Sequence, residues 1–272
     1  MRSALMPQPI LTVLIAAYQA EKTIHRAIDS VLLQADTNVV LAPDDGSQKY
    51  KHLEIEYPGK VTVLASSYRD GPGRTRNRAF EASAGAFVTM LDCDDYFGAN
   101  ALNEALALAH HSRHKIAFFR TVYIHEGTGL ICRELPRSQS LSFEMFIGFH
   151  GSIHALYPRN MWHPYTDHWI SQDVLFDAKT LLASEGTAPM TNAPHFKTIH
   201  PSSVSASTDQ ARINAEYSLV LRQEAHPRIQ QLFHEKLRVG KRYQQVRALG
   251  HSHSFHEFVR AHDAHHIPSD DR

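Results

Sequence analysis

Apolar positions along this chain switch between two periods, and the switches mark out its elements. Ile10-Leu11-Thr12-Val13-Leu14-Ile15 is a short, nearly unbroken apolar run, which predicts a buried strand. Ile24, Ala27, Ile28, Val31 and Leu32 then recur at i, i+3, i+4, i+7 and i+8, while Glu21, Lys22, Arg26 and Asp29 fall off that face, so a helix follows. Val39 to Ala42 and Val61 to Leu64 read as two further strands, 74–84 as a helix, and Ala86 to Leu91, between Gly85 and Gly98, as a buried parallel strand. A helix over 100–111 and a strand over 115–124 continue the alternation. Such alternation predicts an α/β protein built on a mostly parallel sheet flanked by helices.

Beyond residue 126 the pattern loosens. Gly127-Thr128-Gly129 suggests a hairpin, and aromatic and histidine residues crowd the stretch from Phe143 to Trp169, which reads as substrate-facing. A helix over 172–182 and a strand over 195–200 close the catalytic part, expected to span 1–208. Within it, a first half lies at about 8–98 and a second at about 99–208. A helical extension, 209–272, offers Leu219, Val220, Ile229, Leu232 and Phe233 for packing and is expected to fray after residue 262.

Composition narrows the function classes. Lys+Arg and Asp+Glu are both 28, so no global field draws the chain to nucleic acid. The apolar start is too short for a spanning helix and lacks a signal-cleavage pattern, which with two unpatterned cysteines, Cys93 and Cys132, implies a cytoplasmic protein with reduced thiols. Of twenty histidines, eight fall in the last quarter without ligand spacing, so no metal site is expected there. Arg222, Arg228, Lys236, Arg238, Lys241, Arg242 and Arg247 form a local basic excess, leaving a peripheral membrane contact, a homodimer contact and a solvated helix face as alternatives.

The chemistry concentrates in two acidic motifs that end two different strands, Asp44-Asp45-Gly46-Ser47 and Asp92-Cys93-Asp94-Asp95. Taken singly, the first is an ordinary turn and the second a helix cap. A parallel sheet, however, would bring both to one edge, where ligands of open α/β sheets collect. Three carboxylates there need a countercharge, and a divalent Mg²⁺ or Mn²⁺ bridging a phosphate-bearing substrate supplies it economically.

With those motifs in place, the chain resembles the inverting family 2 glycosyltransferases of GT-A (Rossmann-like) fold over roughly residues 8–205. Six segments stand in the family's order: Ala17-Tyr18-Gln19, the Asp44 motif, Gly73-Arg74-Thr75-Arg76-Asn77-Arg78-Ala79, the Asp92 motif, Ser171-Gln172-Asp173 and His200-Pro-Ser-Ser-Val-Ser205. The resemblance implies a nucleotide-diphospho-sugar donor, most commonly a UDP-sugar, and a glycan or lipid-linked acceptor in surface polysaccharide synthesis. It makes about 8–98 the nucleotide-sugar half and about 99–208 the acceptor half, and places Ala17, Tyr18, Asp44, Asp45, Arg76 and Asp92 at the donor, and Asp94, His200 and Asp92 at the metal. Asp173 becomes the general base, although the family's Glu before it is here Gln172. His150, His154, Trp162 and Trp169 are the acceptor candidates, drawn from an aromatic-rich stretch of which at most half is expected to meet ligand.

Two other readings compete. A nucleotidyltransferase should carry a glycine-rich basic loop after its first strand, and Ala16 to Glu21 contains neither glycine nor base. A non-catalytic nucleotide-sugar-binding module would be suggested by loss of Asp94 or Asp173, and both are present.

Overall fold

The computed structural model describes residues 10–34, 36–45, 48–66, 69–168, 170–200, 208–250 and 254–263, the last with side chains to 260. In chain order its strands are β1 (Leu11–Ala17), β2 (Thr37–Pro43), β3 (Val61–Val63), β4 (Phe87–Asp92), β5 (Tyr96–Phe97), β6 (Ala117–His125), β7 (Ile131–Glu134), β8 (Ser140–Ser142), β9 (Ala155–Pro158) and β10 (Thr187–Ile199). The helices are α1 (Ile24–Leu32), α2 (Leu53–Glu56), α3 (Pro72–Glu81), α4 (Ala101–His111), α5 (Phe143–Gly148), α6 (Gln172–Ala183), α7 (Gln210–Gln223), α8 (Pro227–Ala248) and α9 (Phe255–Asp263).

The sheet runs β3-β2-β1-β4-β9-β6-β10-β5, with β7 also paired to β6 and β8 to β10. Its first four strands are mutually parallel, and so are β6 and β10. Alternation along these strands divides the core. Leu11, Val13, Ile15, Val39, Leu41, Phe87 and Leu91 pack on one face with Ile24, Ala27, Ile28 and Val31 of α1 and with α4. Leu14, Val40, Val88 and Met90 pack on the other with α5 and α6. Each fully buried aliphatic side chain contributes about 1.5–3 kcal/mol of transfer free energy, so a one-residue slip in register would be prohibitive. Proline at the start of α3 suits its first turn, where the missing N–H would lack a partner anyway.

The aromatic-rich stretch differs most from expectation. Here β9 inserts antiparallel between β4 and β6, joining two parallel blocks, and Phe143, Phe146 and Tyr157 are almost wholly buried. Large aromatics fill the interior between those blocks, so much of the predicted substrate face is core. The C-terminal helices close the same interior, since Val220 of α7 and Ile229, Leu232 and Phe233 of α8 pack with Phe143 and Phe146. Part of the basic excess is consumed in this packing. Lys236 is buried over Phe146, Arg228 pairs with Glu144 at 3.0 Å, and Arg238 pairs with Glu235 at 2.6 Å. Among the described residues no helix is long and apolar enough to cross a membrane.

Candidate active site

Register fixes where the acidic motifs meet. Ala17 lies opposite Pro43 and Ala16 opposite Asp92, so Tyr18, Asp44-Asp45 and the Asp92 motif all leave the carboxyl edge of the sheet together. On the other block, His195 and Phe196 pair with Phe97 and Tyr96, which brings the end of β10 alongside the Asp92-to-Asp95 turn.

The two motifs are satisfied differently. Asp44 is buried, and one of its oxygens accepts from the Asp70 and Gly71 amides at 2.8 and 3.0 Å and from the Thr75 hydroxyl at 2.9 Å. It thereby ties the loop after β2 to the start of α3. Asp45, with its side chain 8% exposed, pairs with Lys49 at 2.9 Å, and Lys49 reaches Glu21 at 2.5 Å. Tyr18 remains exposed, with the Arg69 guanidinium 4.5 Å from its ring centroid. Gly46 and Ser47 lie outside the described residues.

The Asp92 motif instead lies among cations supplied by the protein. Arg76 of α3 donates to one oxygen of Asp92 at 2.5 Å, and Lys197 of β10 donates to the other at 3.0 Å. Burial alone would raise the Asp92 carboxyl, but Lys197 and Arg76 outweigh it and hold the group well below its ordinary range. Lys197 also lies 3.3 Å from Asp95, whose carboxylate accepts from the Thr198 amide at 2.8 Å. Burial, reinforced by Asp94 and Asp92 and opposed by Lys197, pushes Asp95 up to about 7. The countercharge expected from a metal alone is therefore partly provided by a buried lysine and arginine.

Asp94 and His200 form the remaining pair, at 2.9 Å, and the carboxylate raises the imidazole above its ordinary range. The backbone oxygen of Asp94 accepts from Arg26 at 2.6 Å and from Thr198 at 2.7 Å, which fixes the turn. A carboxylate beside an imidazole is a donor set that suits Mn²⁺, whereas both oxygens of Asp92 are already engaged by cations. Residues 201–205 of the expected His-x-x-Ser-x-Ser segment lie outside the described residues.

Asp173 enters from the first turn of α6, where its own carboxylate accepts from the Val174 amide at 2.8 Å. Arg76 and Lys197 both feel its charge, though less than that of Asp92. Gln172 is buried against α3. A Cβ at Gly73 would stand 2.1 Å from the Gln172 amide oxygen and 2.9 Å from the Thr166 carbonyl, so glycine there permits the close approach of α3 to α6.

The acceptor candidates fall elsewhere. His154 is fully buried behind Asp92, 3.7 Å from it on one side and 3.8 Å from Asp177 on the other. Burial and Lys197 lower its ring, yet the two carboxylates prevail and push it up to about 8. His150 is buried, with its carbonyl accepting from Arg133 at 3.0 Å. Trp162 is half-buried and stacks on Phe80 at 4.2 Å. Trp169 lies outside the described residues. His150 and Trp162 are therefore engaged in packing and His154 stands behind Asp92, because β9 passes through the interior.

Sequence reading missed Lys197, His195, Asp177 and Arg69. A signal existed for two of them. His195 and Lys197 are two apart on a strand, so both face one side, and polar groups at successive inward positions mark a buried ionic cluster. Both cysteines are free, and burial with nearby carboxylates pushes the Cys93 thiol up, keeping it protonated.

Comparison with known proteins bears on the family and the fold. The profile of Glycosyl transferase family 2 matches residues 12–175, more than half of the chain. The Escherichia coli UDP-Glc:alpha-D-GlcNAc-diphosphoundecaprenol beta-1,3-glucosyltransferase WfgD is 29% identical over 106 residues, 38% of this chain and 42% of that protein. The Rhizobium meliloti succinoglycan biosynthesis protein ExoO is 34% identical over 90 residues, 32% of this chain and 26% of its own. The chain thus spans less than half the length of these relatives. Among solved structures, Staphylococcus aureus TarS 1–349 in complex with UDP-GlcNAc superposes with a TM-score of 0.62 at 18% identity, over 84% of this chain and 71% of that one, which establishes the shared GT-A fold. By its matched profile, its motif order and its fold, the chain belongs to glycosyl transferase family 2.

Proposed function

We propose that this protein transfers a sugar, with inversion, from a nucleotide-diphospho-sugar to a hydroxyl of a glycan or lipid-linked acceptor, in the synthesis of a surface polysaccharide. The observation that carries this reading is the convergence of Asp92 at the end of β4, Asp94 in the turn after it, Arg76 from α3, Lys197 from β10 and His200 just past its end, with the charge of Asp173 on α6 felt by Arg76 and Lys197. A UDP-sugar is the preferred donor, because TarS has been crystallised with UDP and with UDP-GlcNAc and WfgD is named for UDP-Glc.

In this reading Tyr18 offers an exposed face to the nucleobase, and Asp45, just past the end of β2, accepts a base N–H. Arg76 and Lys197 fix Asp92 toward the donor sugar and bring positive charge to the phosphates. Asp94 and His200 would hold Mn²⁺ or Mg²⁺, which when bound offsets charge on the leaving diphosphate. Asp173 takes the proton of the acceptor hydroxyl as that oxygen attacks the anomeric carbon opposite the diphosphate. Gln172 adds no negative charge beside it, so the base stays free of a like-charged neighbour in sequence.

The direct test is a thermal-shift panel of UDP, UDP-Glc, UDP-GlcNAc and a GDP-sugar, each with and without Mn²⁺. A metal-enhanced shift with a nucleotide-sugar, lost in Asp94→Asn, is expected. No shift with any nucleotide would contradict the proposal.

A further inference from the structure

Ligating atoms converge at a second place that shares no residue with the site around Asp92. His25 on α1, His52 just before α2 and Glu56 at the end of α2 each direct one donor atom to a common point, all within 4.8 Å of one another. The His25 Nε2 atom lies 2.9 Å from one Glu56 oxygen, and the His52 Nε2 atom lies 3.9 Å from the other. The i, i+4 spacing of His52 and Glu56 puts both on one face of the turn. Their side chains are 50% and 46% exposed, and that of His25 is 47% exposed, so an ion has access from solvent.

The framework holding these ligands is built independently of them. Tyr57, next to Glu56, donates to Asp29 at 2.8 Å, and Asp29 stands one turn beyond His25 on α1. That bond keeps the end of α2 against α1. The three donor atoms therefore face one another with no ion required to gather them, within 4.8 Å, and tetrahedral spacing is about 3.3 Å between donors for bonds of about 2 Å.

We infer that His25, His52 and Glu56 form a binding site for a single zinc(II)-class ion, with at least one coordination position left open. Two imidazoles and one carboxylate favour Zn²⁺ and its borderline neighbours over Mg²⁺ or Ca²⁺, which prefer oxygen throughout. An ion there clips α1 to α2. The segment between β2 and α2 carries Asp44, Asp45 and Lys49, so the same ion restrains the loop that leads from the second strand.

The other histidines make weak background binding certain, so the test compares variants of the full chain. After chelation and dialysis, zinc chloride alone is titrated calorimetrically into wild type, His25→Ala, His52→Ala, Glu56→Gln and, as a control, His234→Ala on the exposed side of α8. One equivalent tighter than the background is expected in wild type and in His234→Ala, and each of the other variants should weaken it by about tenfold or more, in line with the sensitivity of metal sites to loss of even supporting groups. Circular dichroism confirms folding, and Glu56→Gln, nearly isosteric, carries the test should a histidine variant misfold. Cobalt(II) in the same titration should give visible absorption in wild type that disappears in Glu56→Gln. An unchanged tight equivalent in the His25→Ala/His52→Ala double variant, or none in wild type, overturns the inference.

Discussion

Asp44 and Asp92 both stand at the carboxyl edge of the sheet, at or just past the ends of β2 and β4, yet they are held in opposite ways. Asp44 accepts from two amides and a hydroxyl, all neutral, whereas Asp92 lies between an arginine and a lysine that are themselves buried. The first carboxylate works as a rigid acceptor that could be uncharged and still hold its loop. The second works through its charge, and removing that charge leaves the buried Arg76 without its carboxylate and Lys197 with Asp95 alone. Equivalent positions in a sheet thus divide into a joint that shapes the loop after β2 and an ionic centre held by buried cations.

The same isosteric change at both places separates them. Asp92→Asn should cost about 3–5 kcal/mol in urea unfolding, the usual penalty for leaving buried charge without its partner. Asp44→Ala should cost about 1–3 kcal/mol through its unsatisfied buried donors, while Asp44→Asn, which keeps an acceptor oxygen, should stay under about 1 kcal/mol. Equal costs for the two asparagine variants would erase the distinction.

The ionic centre also carries a pH signature. His154 is pushed from its ordinary 6.5 up to about 8 by Asp92 and Asp177, against burial. Its charged form is favoured by folding, so the stability it contributes is complete below about 6.5 and is lost as pH rises through about 8, worth about 2 kcal/mol. Unfolding free energies of wild type and His154→Asn should therefore converge by about that amount between pH ~6 and pH ~9. A constant difference would show that the ring is neutral in the fold. A comparable effect is expected at the helix junction: Gly73→Ala should cost about 1–3 kcal/mol by forcing Gln172 and α3 apart.

Legibility followed the same physical divide. The parallel block could be read from its periodicity, because both faces of its strands are buried and one face of α1 carries all the apolar residues. The Asp44 and Asp92 motifs were legible because their order along the chain predicts a shared edge. The region of β9 was not, since a strand of four residues inserted between distant partners leaves no local period, and aromatic density alone does not separate core from binding face. Lys197 was missed for a related reason. Its meaning lies in a pairing across 105 positions of sequence, which strand register creates and residue spacing does not reveal.

The central claim is that Asp173 removes the acceptor proton at a site whose donor end is built separately from Asp92, Asp94, Arg76 and Lys197. Its most direct test measures donor binding and turnover together in wild type and Asp173→Asn. Turnover should fall by about 10²–10⁴-fold with donor affinity unchanged, as expected for loss of a general base. Equal turnover in the two proteins, or loss of donor binding in step with turnover, would contradict it.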